Sequence, residues 1–137
     1  GQMRIGQLAR LVEIDTQTIR FYEQQGLLPS VGRRENGYRV YTKKHGQRLR
    51  FIRRCRILGL SLAEISELQQ HQDEPHQPCN AVNVLLDDHI SHVQSQIATL
   101  QALEIQLVSL RESCKDGRDV EECGVLSGIN DKETHKR

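Results

Sequence analysis

Apolar residues recur at helical spacing at Ile5, Leu8, Ala9 and Val12, which predicts a short helix over residues 5–12. Asp15 then stands where an N-cap is needed for a second helix running to about Gln25, with Gly26 as its terminating residue and Pro29 just beyond. Between Val31 and Thr42 the pattern shortens to strand-like flanks around Asn36-Gly37, a dipeptide that predicts a hairpin with a type I′ turn. Thr42 caps a third helix over roughly 43–58, whose apolar positions are Leu49, Phe51, Ile52 and Ile57 and which Gly59 ends. Ser61 and Glu64 form a capping box for a fourth helix with Leu62, Ile65 and Leu68 on its inner face. A polar, proline-bearing stretch follows, and the pattern changes character.

From Leu86 the apolar positions are Leu86, Ile90, Val93, Ile97, Leu100, Leu103, Leu107 and Leu110, and then Cys114. The mean step is 3.5 residues over this run, the period of a coiled coil and not that of a lone surface helix. No Gly or Pro interrupts residues 79–114, so nothing stops the helix. Such a stripe needs a partner to cover it. The cysteines add a geometric constraint. Cys79 and Cys114 sit at the two ends of this helix, roughly 50 Å apart at a rise of about 1.5 Å per residue. They cannot share an ion within one chain. In an antiparallel pair of chains, Cys79 of one protomer arrives beside Cys114 of the other, and Cys123 folds back to the same place across a loop containing Gly117. Three unrelated cysteines on a helix packed inside one domain remain the alternative.

A chain of 137 residues that is 36% hydrophobic, with no Trp and five aromatics, is thin for one large core. It suits an elongated helical homodimer. No apolar run approaches bilayer length and no signal-peptide pattern is present, so a cytoplasmic protein is expected, where thiols and metal ligands are commoner than disulfides. The net charge of +1 conceals an asymmetry: residues 1–60 carry 13 basic against 4 acidic side chains, and the remainder is acidic. A basic first part points to a polyanion. That charge argues against a metal buffer or chaperone. An enzyme is not expected, because the sequence carries no Gly-rich phosphate loop, His-Glu zinc motif or activated nucleophile.

Two short helices joined by a tight turn are the helix-turn-helix pattern, whose second helix enters the major groove of DNA. The candidate contacts there are Thr16, Gln17, Thr18 and Arg20. On the hairpin, Arg33, Arg34, Tyr38, Arg39 and Tyr41 interleave guanidinium groups with phenol donors suited to phosphate. Tyr22 and Arg53 complete the set. Cys55, flanked by Arg54 and Arg56, reads as a packing residue.

The runs RIGQLA and TIRFYEQQGLLP, the hairpin GYRVY, and RLRFIRRCRILGLSLAEI resemble the mercury-resistance regulator (MerR) family of bacterial transcription factors. The resemblance implies a mainly α fold: a winged helix-turn-helix DNA-binding domain at 3–72, a linker at 73–79 and a long antiparallel coiled-coil dimerisation helix at 80–114. A metal-binding loop and short helix at 115–130 complete it, and the low-complexity composition after Asn130 predicts a disordered tail at 131–137. It implies metal ligation by Cys79, Cys114 and Cys123, and the segment CNAVNVLLDDHISHV is similar to lead- and cadmium-responsive members. Zinc-responsive members tend to carry a cysteine where this chain has Lys115, and lead and cadmium regulators often carry one where it has Ile14.

Three thiolates select soft and borderline ions over magnesium or calcium. The expected effector is Pb(II) or Cd(II), with Hg(II) and Zn(II) as alternatives and His76, His89, His92 or water as a fourth ligand. Helix electrostatics favour the thiolate at Cys79 and oppose it at Cys114, with Lys115 and Arg118 as counter-charges. The function implied is a dimeric regulator on a promoter inverted repeat that passes from repression to activation by DNA distortion, so that RNA polymerase engages the promoter. A thiol redox-sensing DNA-binding regulator using Cys114 and Cys123 is the alternative class.

Overall fold

The computed structural model describes residues 1–114, 120 and 123–135. The elements are α1 (Ile5–Val12), α2 (Thr16–Gln24), β1 (Gly32–Arg33), β2 (Arg39–Val40), α3 (Lys43–Ile57), α4 (Leu62–Gln72), α5 (Asn80–Glu112) and α6 (Gly124–His135). They fall into two compact units, Gly1–Leu85 and Leu86–Arg137.

The caps explain the boundaries of the first unit. The Asp15 carboxylate accepts the Thr18 amide at 2.8 Å, satisfying one of the orphan donors that begin α2. At its other end the Gly26 amide donates to the Glu23 carbonyl and the Leu27 amide to that of Tyr22, a complete Schellman motif with Gly26 at φ +75°. Gly59 repeats the arrangement after α3. Ser61 and Glu64 exchange their two capping bonds at 2.9 and 3.1 Å. Thr42 pairs with a histidine: its amide donates to His45 Nδ1 at 3.1 Å. That bond makes Nε2 the protonated nitrogen, which donates to the Pro29 carbonyl at 3.1 Å. The buried His45 thereby ties the start of α3 to the chain leaving α2.

The hairpin differs from the type I′ expectation. Gly32 pairs with Val40 and Arg33 with Arg39 in antiparallel register. The loop is closed by Arg34 N–H to the Tyr38 carbonyl and Gly37 N–H to the Arg34 carbonyl, both at 2.9 Å. Gly37 lies at φ +84°, but Asn36 is not in the left-handed region, as a type I′ turn requires. This is a three-residue loop with glycine in the bulge position. The Asn36 side chain instead accepts the Tyr38 amide at 3.2 Å, a local bond that holds asparagine in an ordinary turn conformation.

Two apolar clusters fill this unit. One gathers Leu8, Val12, Ile19, Tyr41 and Leu49 between α1, α2 and α3. The other gathers Leu27, Ile52, Cys55, Leu60, Ile65 and Leu85, so that α3, α4 and the first turns of α5 close on one another. Tyr22 and Leu28 pack against both. Cys55 is buried, as its reading as a packing residue requires, and burial raises its thiol pKa. Gln69 is buried as well and donates to the Leu27 carbonyl at 3.1 Å, a satisfied polar group inside the second cluster.

In the second unit the apolar stripe of α5 lies open in the single chain. Leu86, Ile90, Ile97, Leu100, Leu103 and Leu107 are all exposed, Leu100 and Leu107 to 65%. Among the described residues, no helix is long and apolar enough to cross a membrane. α6 continues to His135, past the Asn130 where the sequence reading begins the tail. The segment INDKETH contains no Gly or Pro to end it.

Candidate metal centre and nucleic-acid interface

Cys79 directly precedes α5, and its carbonyl accepts the Asn83 amide at 2.9 Å, the first bond of that helix. Its thiol is exposed. Cys114 stands two residues past the last residue of α5. The chain there is gathered in by the Cys114 amide donating to the Arg111 carbonyl and by the Arg111 guanidinium donating to the Cys114 carbonyl at 3.3 Å. Cys123 directly precedes α6, its carbonyl accepting the Ser127 amide at 3.2 Å. α6 seats closely on the end of α5 because it presents glycines there. A Cβ on Gly124 would overlap the Ser113 carbonyl, and one on Gly128 would come within 2.8 Å of Leu110 Cδ2.

This seating brings Cys123 Sγ to 3.4 Å from Cys114 Sγ. Two sulfurs bound to one tetrahedral ion at about 2.3 Å stand about 3.8 Å apart, so the pair needs to open by only a few tenths of an ångström to chelate. The two thiols are unequal. Backbone amide donation from Leu126 at the N-terminus of α6, and then the hydrogen bond with Cys114, lower the Cys123 pKa below its ordinary value. The same hydrogen bond raises that of Cys114, with burial adding to it. The two thiols share one hydrogen bond and shift in opposite directions. The raised Cys114 pKa has the direction expected at a helix C-terminus, and its sulfur neighbour is the first cause of it.

Among the described residues, no group of three His, Cys, Asp or Glu side chains converges within the chain. His76 and His92 are exposed and His89 is half-buried. Lys115 and Arg118, the expected counter-charges, lie outside the described residues, as does Gly117.

On the basic unit, Gln17 and Arg20 are exposed along α2, and Thr16 and Thr18 are half-exposed in its first turn. Arg33, Arg34 and Tyr38 are exposed on the hairpin. Arg39, also exposed, is bound to Glu23 at 2.6 Å. Tyr41 requires a correction. It is fully buried, so it does not share the exposed face of the hairpin. Past β2 it pairs with Met3, by amide–carbonyl bonds of 2.8 and 2.7 Å, and its hydroxyl donates to Glu23 at 2.7 Å. Strand alternation ends at that bridge, and the ring falls into the core. Tyr22 is half-buried between the two clusters. Arg53 donates to the Val12 carbonyl at 3.1 Å and lies 3.7 Å from Glu13. It closes the C-terminus of α1, where a cation is favoured.

The residue missed is Arg4. Its guanidinium lies 3.8 Å over the Tyr38 ring, a cation–π contact that joins the start of α1 to the tip of the hairpin. Together they border a cleft of about 340 Å³ lined also by Arg20, Arg33 and Arg39. Among the described residues the cleft has no acidic lining, and Arg39 is partly neutralised by Glu23.

A model of the MerR HTH family regulatory protein matches residues 3–72, and one described as MerR, DNA binding, matches residues 47–110. The chain belongs to the MerR family. It is similar to a probable heavy metal-dependent transcriptional regulator of Haemophilus influenzae, 40% identical over 128 residues that cover 93% of this chain and 99% of the relative. Among solved structures it is similar to the transcription regulator PbrR691 from Ralstonia metallidurans CH34 in complex with lead(II). That match has 46% identity and a TM-score of 0.84, and covers 93% of this chain and 98% of the other. It is also similar to HiNmlR, a MerR family regulator lacking the sensor domain, bound to promoter DNA. There the identity is 28% and the TM-score 0.55, over 82% of this chain and 88% of the other. The fold expected of a MerR-family chain, a helix-turn-helix unit followed by a long helix, is the fold found.

Proposed function

We propose that this MerR-family protein is a cytoplasmic, homodimeric metal sensor that represses a promoter when metal-free and activates it when a soft divalent ion, Pb(II) or Cd(II), binds. The observation that carries the reading is the Cys114–Cys123 pair, held at 3.4 Å and lacking a third ligand among the described residues of its own chain. Cys79 supplies that ligand from the partner chain. A 33-residue helix is about 50 Å long, so only an antiparallel partner presents Cys79 beside the pair. The open stripe of α5 is the surface such a partner covers. Lead is favoured by the 46% identity to a regulator solved with lead(II).

DNA binding rests on the exposed first turn of α2 and the arginine-lined hairpin cleft. In each protomer α2 enters a major groove of an inverted repeat, and the hairpin grips phosphates on either side. Metal binding ties the end of one chain to the start of α5 in the other. It thereby changes the disposition of the two DNA-binding units, distorting the promoter so that RNA polymerase engages it. An ion shifts this balance only by its differential affinity for the two arrangements.

The test is promoter binding and in vitro transcription titrated with lead, cadmium, mercury and zinc salts, on the wild type and on Cys79→Ser. The proposal expects one soft ion to activate the wild type, and Cys79→Ser to bind the promoter without activating. Activation that survives in Cys79→Ser removes the cross-chain site.

A further inference from the structure

We propose that the Cys114–Cys123 pair is also an oxidation site, at which a hydroperoxide forms an intrachain disulfide that shuts off metal sensing while leaving DNA binding intact. This rests on the reading of these thiols as metal ligands. A disulfide requires its sulfurs about 2.05 Å apart, and the two start at 3.4 Å on one chain. Cys79 belongs to the other end of α5 and Cys55 is buried among Ile52, Leu60 and Ile65. Neither competes for either sulfur within the described chain.

The roles of the two sulfurs follow from their surroundings. Cys123, half-exposed at the head of α6, is the attacking sulfur. It displaces alkoxide or hydroxide from the peroxide oxygen and becomes a sulfenic acid. Cys114 Sγ then attacks the Cys123 sulfur, and the hydroxyl departs as water, taking up the thiol proton. Two electrons pass from the dithiol to the peroxide, which is reduced to an alcohol or water. One S–S bond replaces two S–H bonds. Neither sulfur retains the negative charge an ion needs. Within residues 1–72 the only cysteine is Cys55, and its burial protects it, so the DNA-binding unit is chemically untouched. An oxidised dimer would occupy its operator and fail to respond to metal.

The experiment uses full-length, reduced, metal-free protein treated with stoichiometric hydrogen peroxide. The expected product has lost two hydrogens per chain, runs as a monomer on a non-reducing gel and yields a peptide joining Cys114 to Cys123. Dithiothreitol reverses it. Cys79→Ser forms the same product and Cys123→Ser does not. Lead binding, followed by thiolate-to-lead absorption, falls at least about 100-fold, the upper range reached even by outer-sphere changes at metal sites. Affinity for a promoter fragment is unchanged. Oxygen addition at either cysteine in place of hydrogen loss, an interchain disulfide through Cys79, or undiminished lead binding by the oxidised form overturns the proposal. If the reduced protein itself binds none of the four ions, the metal reading fails separately, and the mass spectrum still decides whether the disulfide forms.

Discussion

Gly124→Ala tests what holds the two sulfurs together. Gly124 is the first residue of α6 and does not lie in the left-handed region, so alanine meets no backbone strain there. By helix propensity alone the change is favourable, by up to about 1 kcal/mol. Sterics oppose it. The added Cβ would stand 2.8 Å from the Ser113 carbonyl carbon and 2.9 Å from its Oγ, whereas carbon–carbon contact begins at about 3.5 Å. Ser113 is held by its amide bonds to the Ser109 and Leu110 carbonyls, so the first turn of α6 must retreat by at least about 0.7 Å, carrying Cys123 with it. Binding constellations tolerate about 0.5 Å. Lead affinity, measured by chelator competition, is expected to fall 10–100-fold, about 1.4–2.7 kcal/mol, with promoter affinity unchanged. Gly128→Ala is the control, because its Cβ meets only the flexible end of Leu110, and it is expected to bind lead within a factor of about three. Wild-type affinity in Gly124→Ala, or equal losses in both variants, would refute the claim that close seating of α6 positions Cys123.

Arg4→Ala should reduce the slope of log affinity for DNA against log salt by about 0.9 per protomer, equally on specific and random sequences; an unchanged slope removes Arg4 from the phosphate contacts. Leu100→Asp should convert the dimer to monomer in sedimentation at micromolar concentration, since losing the leucine from both chains removes about 3–6 kcal/mol of burial; a stable dimer would place the interface elsewhere. Tyr41→Phe should destabilise the fold by about 1.5–3 kcal/mol at neutral pH through loss of the hydrogen bond to the Glu23 carboxylate. Tyr41 also predicts a pH dependence. Burial first, then its bond to Glu23, raise its pKa above the ordinary 10.0, so its stabilising contribution is complete below pH 10.0 and is lost as pH rises through the higher folded value. Urea midpoints of wild type and Tyr41→Phe should therefore converge in strong alkali, and a constant gap would refute the assignment.

The helices were legible because their signals are local. Asp15, Ser61 and Glu64 cap within three residues, and Gly26 and Gly59 end helices through bonds spanning five. The exposed stripe of α5 is written in its spacing. What escaped depended on contacts distant in sequence. Tyr41 carries the composition of an exposed ribbon residue, and only its pairing with Met3, 38 positions earlier, turns it inward. Arg4 has no local mark of function, since its contact lies across 34 residues at Tyr38. The closeness of Cys114 and Cys123 was expected from the loop. The means of holding them, Gly124 of α6 against Ser113, could not be read without knowing which way α6 turns.

The division of ligands in the proposed sensor has a thermodynamic consequence. Cys114 and Cys123 stand 3.4 Å apart on one chain, so in the proposed sensor their bonds to an ion form in either arrangement of the dimer. Such bonds contribute affinity that is uniform across states, and uniform affinity moves no equilibrium. The switching free energy has to come from the third ligand, whose distance from the pair changes with the arrangement. To carry an equilibrium from 1:99 to 99:1 an ion must favour one state by about 10⁴-fold, about 5.5 kcal/mol. One metal–thiolate bond, made in one state and broken in the other, is of the size required. In the proposed sensor, placing the pair on one protomer and Cys79 on its partner separates tight capture from signalling, and each can be altered without the other.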